Sequence, residues 1–176
     1  GTGFNYSQLN YAIIGNPFAP LFYITHSQTK LLMAEAAYRN WISGSAQAFY
    51  EEGIRASMDQ WSRYPNTPDR AITDEEKERY LSHPQVAFNA NAALELINVQ
   101  YWVSNIGNGT ESFANFRRSG YPALSPNRYN NNLNGGFVRR MAYPNDEMAE
   151  NPDNYQSAVA AMGGDNLTVR VFWDIE

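Results

Sequence analysis

THSQTKLLMAEAAYRNWISGSAQAFYEEGIRASMDQW, residues 25–61, decides the fold. Thr25 and Gln28 have the spacing of a capping box, in which the threonine hydroxyl and the glutamine amide satisfy each other's backbone N–H groups; Ser27 is an alternative cap. Leu31, Tyr38 and Trp41 recur at i, i+7 and i+10, with Leu32 and Ile42 beside them. That period predicts one apolar stripe on a helix, with Tyr38 and Trp41 in the core. Glu35 and Arg39 stand four apart, as an ion pair on another face. Gly44 ends the helix and Ser45 caps the next, whose stripe is Ala46, Tyr50, Gly53, Ile54, Ser57, Met58 and Trp61. Glu51 and Arg55 repeat the ion-pair spacing. Two amphipathic helices with so short a join must run antiparallel. Ala34, Ala36, Ala37, Ala46, Ala48 and Gly53 let their axes come close.

On the N-terminal side, residues 1–24 are rich in aromatics, Gly and Pro, and Pro17 and Pro20 break any helix. On the other side, Pro65 and Pro68 mark a loop over 63–72. Thr73 and Glu76 form a second capping box for a charged helix over about 74–81. A helix over about 85–104 follows Pro84, with Ala87, Ala90, Leu94, Ile97 and Tyr101 on one side and Trp102 beside that stripe. Gly107-Asn108-Gly109 turns the chain, and Thr110 with Glu111 starts a short helix through Phe116. Residues 120–144 read as irregular, with an Asn/Gly patch at 130–136. Asn151-Pro152 begins a last helix through Met162, stopped by Gly163. Phe137–Ala142 and the alternating run Leu167–Trp173 predict a short terminal strand pair. The fold class is therefore mainly α, with paired helices, long irregular loops and those two strands, in a single helical domain over 1–176.

The bulk composition excludes several functions. A net charge of −5 and basic runs no longer than Arg117-Arg118 and Arg139-Arg140 argue against nucleic acid as a partner. There is no Cys, so disulfides, thiolate metal sites and Cys nucleophiles are out. No apolar stretch approaches the roughly 20 residues that span a bilayer. The chain opens on Gly1-Thr2-Gly3 with neither an initiator Met nor a signal peptide, and is expected to be a piece of a longer protein. Aromatics reach 14%, with 12 Tyr, 9 Phe and 4 Trp, more Tyr and Trp than a core alone calls for.

Ala34-Glu35-Ala36-Ala37-Tyr38-Arg39, then Gly44, Ala48, Tyr50, Gly53 and Ile54, looks like one tetratricopeptide-type helix pair. Downstream come Gln100-Tyr101-Trp102, Glu111, Phe116-Arg117-Arg118-Ser119-Gly120-Tyr121-Pro122, Arg139-Arg140-Met141-Ala142-Tyr143-Pro144 and Glu147. Asn151-Pro152-Asp153-Asn154-Tyr155, Ala158, Gly163-Gly164-Asp165 and Val171-Phe172-Trp173-Asp174 complete the series. This order resembles the C-terminal region of the SusD/RagB family, the SusD-like outer-membrane lipoproteins of Bacteroidetes. The resemblance implies tetratricopeptide-like helices on the cell-surface side of the outer membrane. It also implies a SusC-like TonB-dependent transporter as partner, to which oligosaccharide, or in some members peptide, is passed. The family's lipidated N-terminal Cys and N-terminal helical region do not occur in this chain, so the anchor and the remaining N-terminal part are expected outside it.

Catalytic residues, metal ligands and cofactors are not expected. His26 and His83, the only histidines, stand far apart, whereas a metal site wants clustered ligands. Asp146, Glu147, Glu150, Asp165 and Asp174 could supply the two carboxylates of a glycosidase, the alternative reading as an all-α glycan-active enzyme, but carboxylates at helix starts more often serve structure. A protein-interaction scaffold would need at least three similar helix pairs, and one is clear. Arg117 and Arg118 sit at a helix end and are read as structural, against an anion-binding alternative. Trp41 and Trp102 are read as core. A sugar offers an apolar C–H face to a flat ring, with hydroxyls for polar edges. Trp61 and Tyr64, at a helix end before a Pro loop, and Tyr129 with Asn131 in the Asn130-Asn131-Asn132 run, are the candidate ligand-binding residues.

Overall fold

The computed structural model describes residues 9–67, 71–126, 133 and 135–174. The chain divides into two units, Gly1–Asn108 and Gly109–Glu176. The first is built on α1 (His26–Tyr38), α2 (Ala46–Gln60), α3 (Asp74–Leu81) and α4 (Ala93–Ser104). Thr25 opens α1 as the capping box predicts: its hydroxyl accepts the Gln28 N–H at 3.1 Å, and its own N–H donates to Gln28 Oε1 at 2.8 Å. Ser45 caps α2 by accepting the Ala48 N–H. Thr73 and Glu76 form the second box on α3.

α1 and α2 pack most extensively, with α4 against α1. The close approach is a matter of one glycine. A methyl group at Gly53 would lie 2.7 Å from Leu31 Cγ and 3.3 Å from the Leu31 nitrogen. Beside it the Ser27 hydroxyl donates to the Gly53 carbonyl at 2.8 Å. Leu31, Ala34, Tyr50, Ile54, Ile97 and Tyr101 lead the core. Tyr50 is fully buried, donates to the Val86 carbonyl at 2.7 Å, and is pushed well above the ordinary phenol range by that burial. Polar bonds tie α1 to α4: Gln28 donates to Asn105 Oδ1 at 2.7 Å, and buried Glu35 accepts from both Arg39 and Asn98.

The buried face of α1 is only in part the one the apolar period predicts. Leu31 is buried as expected, but its companions are Ser27, Gln28, Ala34, Glu35 and Ala37, small or polar residues that a close neighbouring backbone can accommodate. Trp41 is 71% exposed, and Tyr38, Leu32 and Ile42 are also exposed. The helix stops at Tyr38 and Asn40 takes a left-handed conformation (φ 58°), so position 41 leaves the helical stripe. Trp41 instead lies under the Arg39 guanidinium, 5.3 Å from ring to Cζ. Trp102 is partly exposed, beside the core rather than in it. The helix predicted from residue 85 begins later. Asn89 is extended and its side chain accepts the Asn91 N–H, which starts a 3-10 turn over Ala90–Ala92 that leads into α4.

The second unit holds α5 (Gly109–Ser119), α6 (Asn145–Glu150) and α7 (Pro152–Met162). Pro152 stands in the first turn of α7 and Gly163 closes it at φ 80°. α6 falls where no helix was expected; Asp146 and Glu147 in its first turn are its sequence signature. The predicted strand pair is absent among the described residues. Its two stretches do meet, since the Arg139 N–H donates to the Leu167 carbonyl at 2.6 Å, but no ladder follows. Asn166 accepts both the N–H and the hydroxyl of Thr168, and the Asp174 N–H turns back to the Val171 carbonyl, which folds the alternating run into turns.

Candidate functional site

α2 ends in a 3-10 turn, Trp61–Arg63, and the chain leaves it extended at Tyr64. Thr67 fixes this exit. Its buried hydroxyl lies within hydrogen-bond distance of both the Trp61 and the Tyr64 carbonyl. Asn66 adopts a left-handed conformation (φ 61°), and its side chain donates to the Ala12 carbonyl, tying the loop to the N-terminal segment. The result is a short aromatic series. Trp61 and Tyr64 stack with centroids 5.3 Å apart at 27°, and Phe22 meets Tyr64 edge-on at 5.7 Å. Burial raises the Tyr64 hydroxyl above its ordinary pKa, and a hydrogen bond with Gln60 opposes that in part. The hydroxyl is therefore a proton donor throughout the neutral range.

Two cavities open at this series and share Phe22, Thr25 and Gln60 as a common wall. The smaller, about 180 Å³, reaches Tyr64, Gln28 and the α4 end at Asn105–Asn108. The larger, about 550 Å³, is bounded by Ile24, His26, Asp59 and Arg63. Together they combine apolar rings with amide, carboxylate and guanidinium groups, the mixture that holds a ligand with one apolar and one polar face. Phe18 (88%) and Tyr23 (83%) stand exposed on the adjoining segment.

Trp61 and Tyr64, the first two predicted site residues, are thus brought together, with Tyr64 lining the smaller cavity and Trp61 behind it. Tyr129 and Asn131 lie outside the described residues. Phe22 and Gln60 belong to the site without having been predicted. The aromatic- and Pro-rich composition of residues 1–24 was the available signal for Phe22; Gln60 had none.

The carboxylates of the second unit serve other ends. Asp165 accepts from Arg140 at 2.7 Å, from the Tyr143 N–H at 3.1 Å and from the Tyr155 hydroxyl at 3.1 Å. Desolvation pushes its carboxyl up, but the Tyr143 N–H, Arg140 and Tyr155 together outweigh this and hold it below its ordinary pKa. Fully buried Asp174 binds Arg139 and Arg170 at 3.2 and 3.1 Å. Asp146, Glu147 and Glu150 are exposed on α6. Arg117 donates to the Arg139 carbonyl and lies over the rings of Phe113 and Trp173, and Arg118 donates to Asn115, so both are bound within the fold. His26 pairs with Glu52, which Lys30 also holds. Among the described residues, no three His, Asp or Glu side chains converge on a common point.

A family model described as SusD-like, starch-binding and associating with the outer membrane matches residues 2–144. Among solved structures, a chitin-binding protein is 35% identical with a TM-score of 0.77, over 89% of this chain and 34% of its own. A SusD-like protein of Bacteroidetes is 35% identical with a TM-score of 0.78, over 87% of this chain and 30% of its own. A chitin-binding SusD homologue from Flavobacterium johnsoniae is 29% identical with a TM-score of 0.62, over 85% and 36%. The chain thus spans about a third of the length of these structures. No curated protein matches it.

Proposed function

The chain belongs to the SusD-like family of starch-binding proteins that associate with the outer membrane, and from that premise we propose that it takes part in capturing an oligosaccharide at the cell surface. The observation that carries this reading is the Trp61–Tyr64 stack beside the paired cavities. A pyranose ring lays its C–H face on such a platform, while Gln60, Asp59 and Arg63 offer donors and acceptors to its hydroxyls. Two of the relatives are chitin-binding, which makes chito-oligosaccharides the first ligands to try, with malto-oligosaccharides beside them.

Capture without turnover is part of the proposal. Asp165 and Asp174 are each held by arginines, and an acid–base pair must instead face a shared substrate. Delivery of the ligand to a SusC-like TonB-dependent transporter, and a lipid anchor on a part of the protein outside these 176 residues, complete the reading. Exposed Leu21, Ile24 and Trp41 support contact with further protein, either the remaining part of a longer chain or the transporter. A peptide-capturing role is the second reading, supported by the opposite charges, Asp59 and Arg63, that line the larger cavity.

Calorimetric titration of the protein with chitohexaose and maltohexaose tests the proposal. Saturable binding of at least one, with no release of reducing ends on long incubation, is expected. Heat-silent titrations with both would contradict it, and steady release of reducing ends would restore the enzyme reading.

A further inference from the structure

A third cavity, about 730 Å³, opens in the first unit between the end of α2, α3 and α4, and shares no lining residue with the two at Phe22 and Tyr64. Its walls include Met58, Ile72, Val86, Val99 and Val103. Branched aliphatic side chains and a thioether dominate these walls, with Tyr80 the one phenol ring among them, and they suit an aliphatic side chain. One polar element sits among them. Gln100, only 6% exposed, is hydrogen-bonded to the Tyr80 hydroxyl through its amide, within reach of an incoming peptide group.

The rim is charged, and one cation there is uncommitted. Glu76, Arg79, Tyr80 and His83 follow one another at i, i+3, i+4 and i+7, so α3 and the turn after it present all four on one face. Neighbouring Arg55 is bound to Glu51 and Glu78, and Lys77 to Asp59 and Asp74. The Arg79 side chain makes no hydrogen bond or ion pair with any described residue; it lies close to Glu76, whose carboxyl is held below its ordinary pKa first by the N–H and hydroxyl of Thr73 and to a lesser degree by Arg79. Glu76 is the acidic member of the rim, and its Oε2 is taken by the N–H and hydroxyl of Thr73. His83 accepts the Gln85 N–H on Nδ1, which leaves the proton of the neutral ring on Nε2 as a further donor. The Arg79–His83 end therefore favours an anion.

From this combination we propose that the cavity is a docking site for a peptide segment of a partner protein, one that inserts an aliphatic side chain and sets an adjacent carboxylate against Arg79. Arg79 supplies charge-assisted hydrogen bonds, the aliphatic walls bury the side chain, and Gln100 pairs with the backbone.

Fluorescence anisotropy with fluorescein-labelled Gly-Leu-Asp-Leu-Gly amide, and the same peptide with Asn in place of Asp, tests the site. The Asp peptide is expected to bind more tightly, and its advantage to shrink as salt screens the pair. Arg79→Gln is expected to weaken the Asp peptide about fivefold or more and leave the Asn peptide unchanged. Val103→Asp, an exposed position that leaves the core intact, is expected to abolish binding of both. Equal binding of the two peptides, no effect of Arg79→Gln, or no binding of either overturns the proposal. So does sedimentation showing a dimer that Val103→Asp dissolves, because the occupant is then a second copy of the chain. Chitohexaose binding measured on the same variants is expected to be unchanged, which keeps failure at this cavity distinct from failure at the Tyr64 groove.

Discussion

At position 53 a single missing methyl group sets the distance between two helices. In a helix interior Ala outranks Gly by about 1 kcal/mol, so propensity alone says that Gly53→Ala stabilises. The 2.7 Å approach to Leu31 Cγ says the reverse. Overpacking typically costs about 1–3 kcal/mol, so a net loss of roughly 1 kcal/mol is expected, read as a lower urea midpoint at unchanged slope. Asp174 is a stronger case at the same scale. It is fully buried and faces two arginines, so Asp174→Ala leaves the largely buried Arg139 uncompensated, and a loss of about 3 kcal/mol is expected in the same assay. Asp165 sets a pH dependence. Its native pKa is depressed, so the stability it contributes is complete above the ordinary carboxylate pKa, about 3.9, and is lost as pH falls through the lower native value. Thermal unfolding of Asp165→Asn between about pH 5 and 2.5 is expected to vary less with pH than that of the unaltered protein.

The starts of α1, α2 and α3 were legible in the sequence because side-chain capping is local chemistry, whereas α4 and α6, whose caps make no side-chain hydrogen bond, were not placed by it. Thr25–Gln28 and Thr73–Glu76 are visible as residue spacings, and both form. Thr25→Ala is expected to cost about 1 kcal/mol in chemical denaturation, with no change in the fold. The buried face of α1 was legible only in part. Its apolar period pointed to Leu31, Tyr38 and Trp41; Leu31 is buried against Gly53, whereas the other buried residues are small or polar. The fact that decides how closely that face packs lies at Gly53, 22 residues beyond Leu31 and outside the helix it governs. The alternating run 167–173 failed for a related reason. Alternation describes a strand only when a partner supplies a ladder, and Asn166 offers the backbone local bonds instead. At the site, Trp61 and Tyr64 were legible as aromatics at a helix end, but Phe22 reaches them across more than 35 residues through tertiary contact alone.

On the scale of the whole chain, the sequence resemblance, the matched family model and the structural relatives describe one kind of protein from separate directions. The chain covers about a third of those relatives, so the exposed apolar residues Phe18, Leu21, Tyr23, Ile24 and Trp41 are expected to meet further protein in the complete molecule. The claim on which the functional account rests is narrower: oligosaccharide stacks at the Trp61–Tyr64 turn. Calorimetric titration of chitohexaose into the protein, Trp61→Ala and Trp41→Ala measures it most directly. Loss of the Trp61 ring takes away the support stacked behind Tyr64 and is expected to weaken binding about tenfold, the equivalent of roughly 1.4 kcal/mol, while Trp41→Ala binds as the unaltered protein does. Equal affinity in the protein and Trp61→Ala would contradict the account.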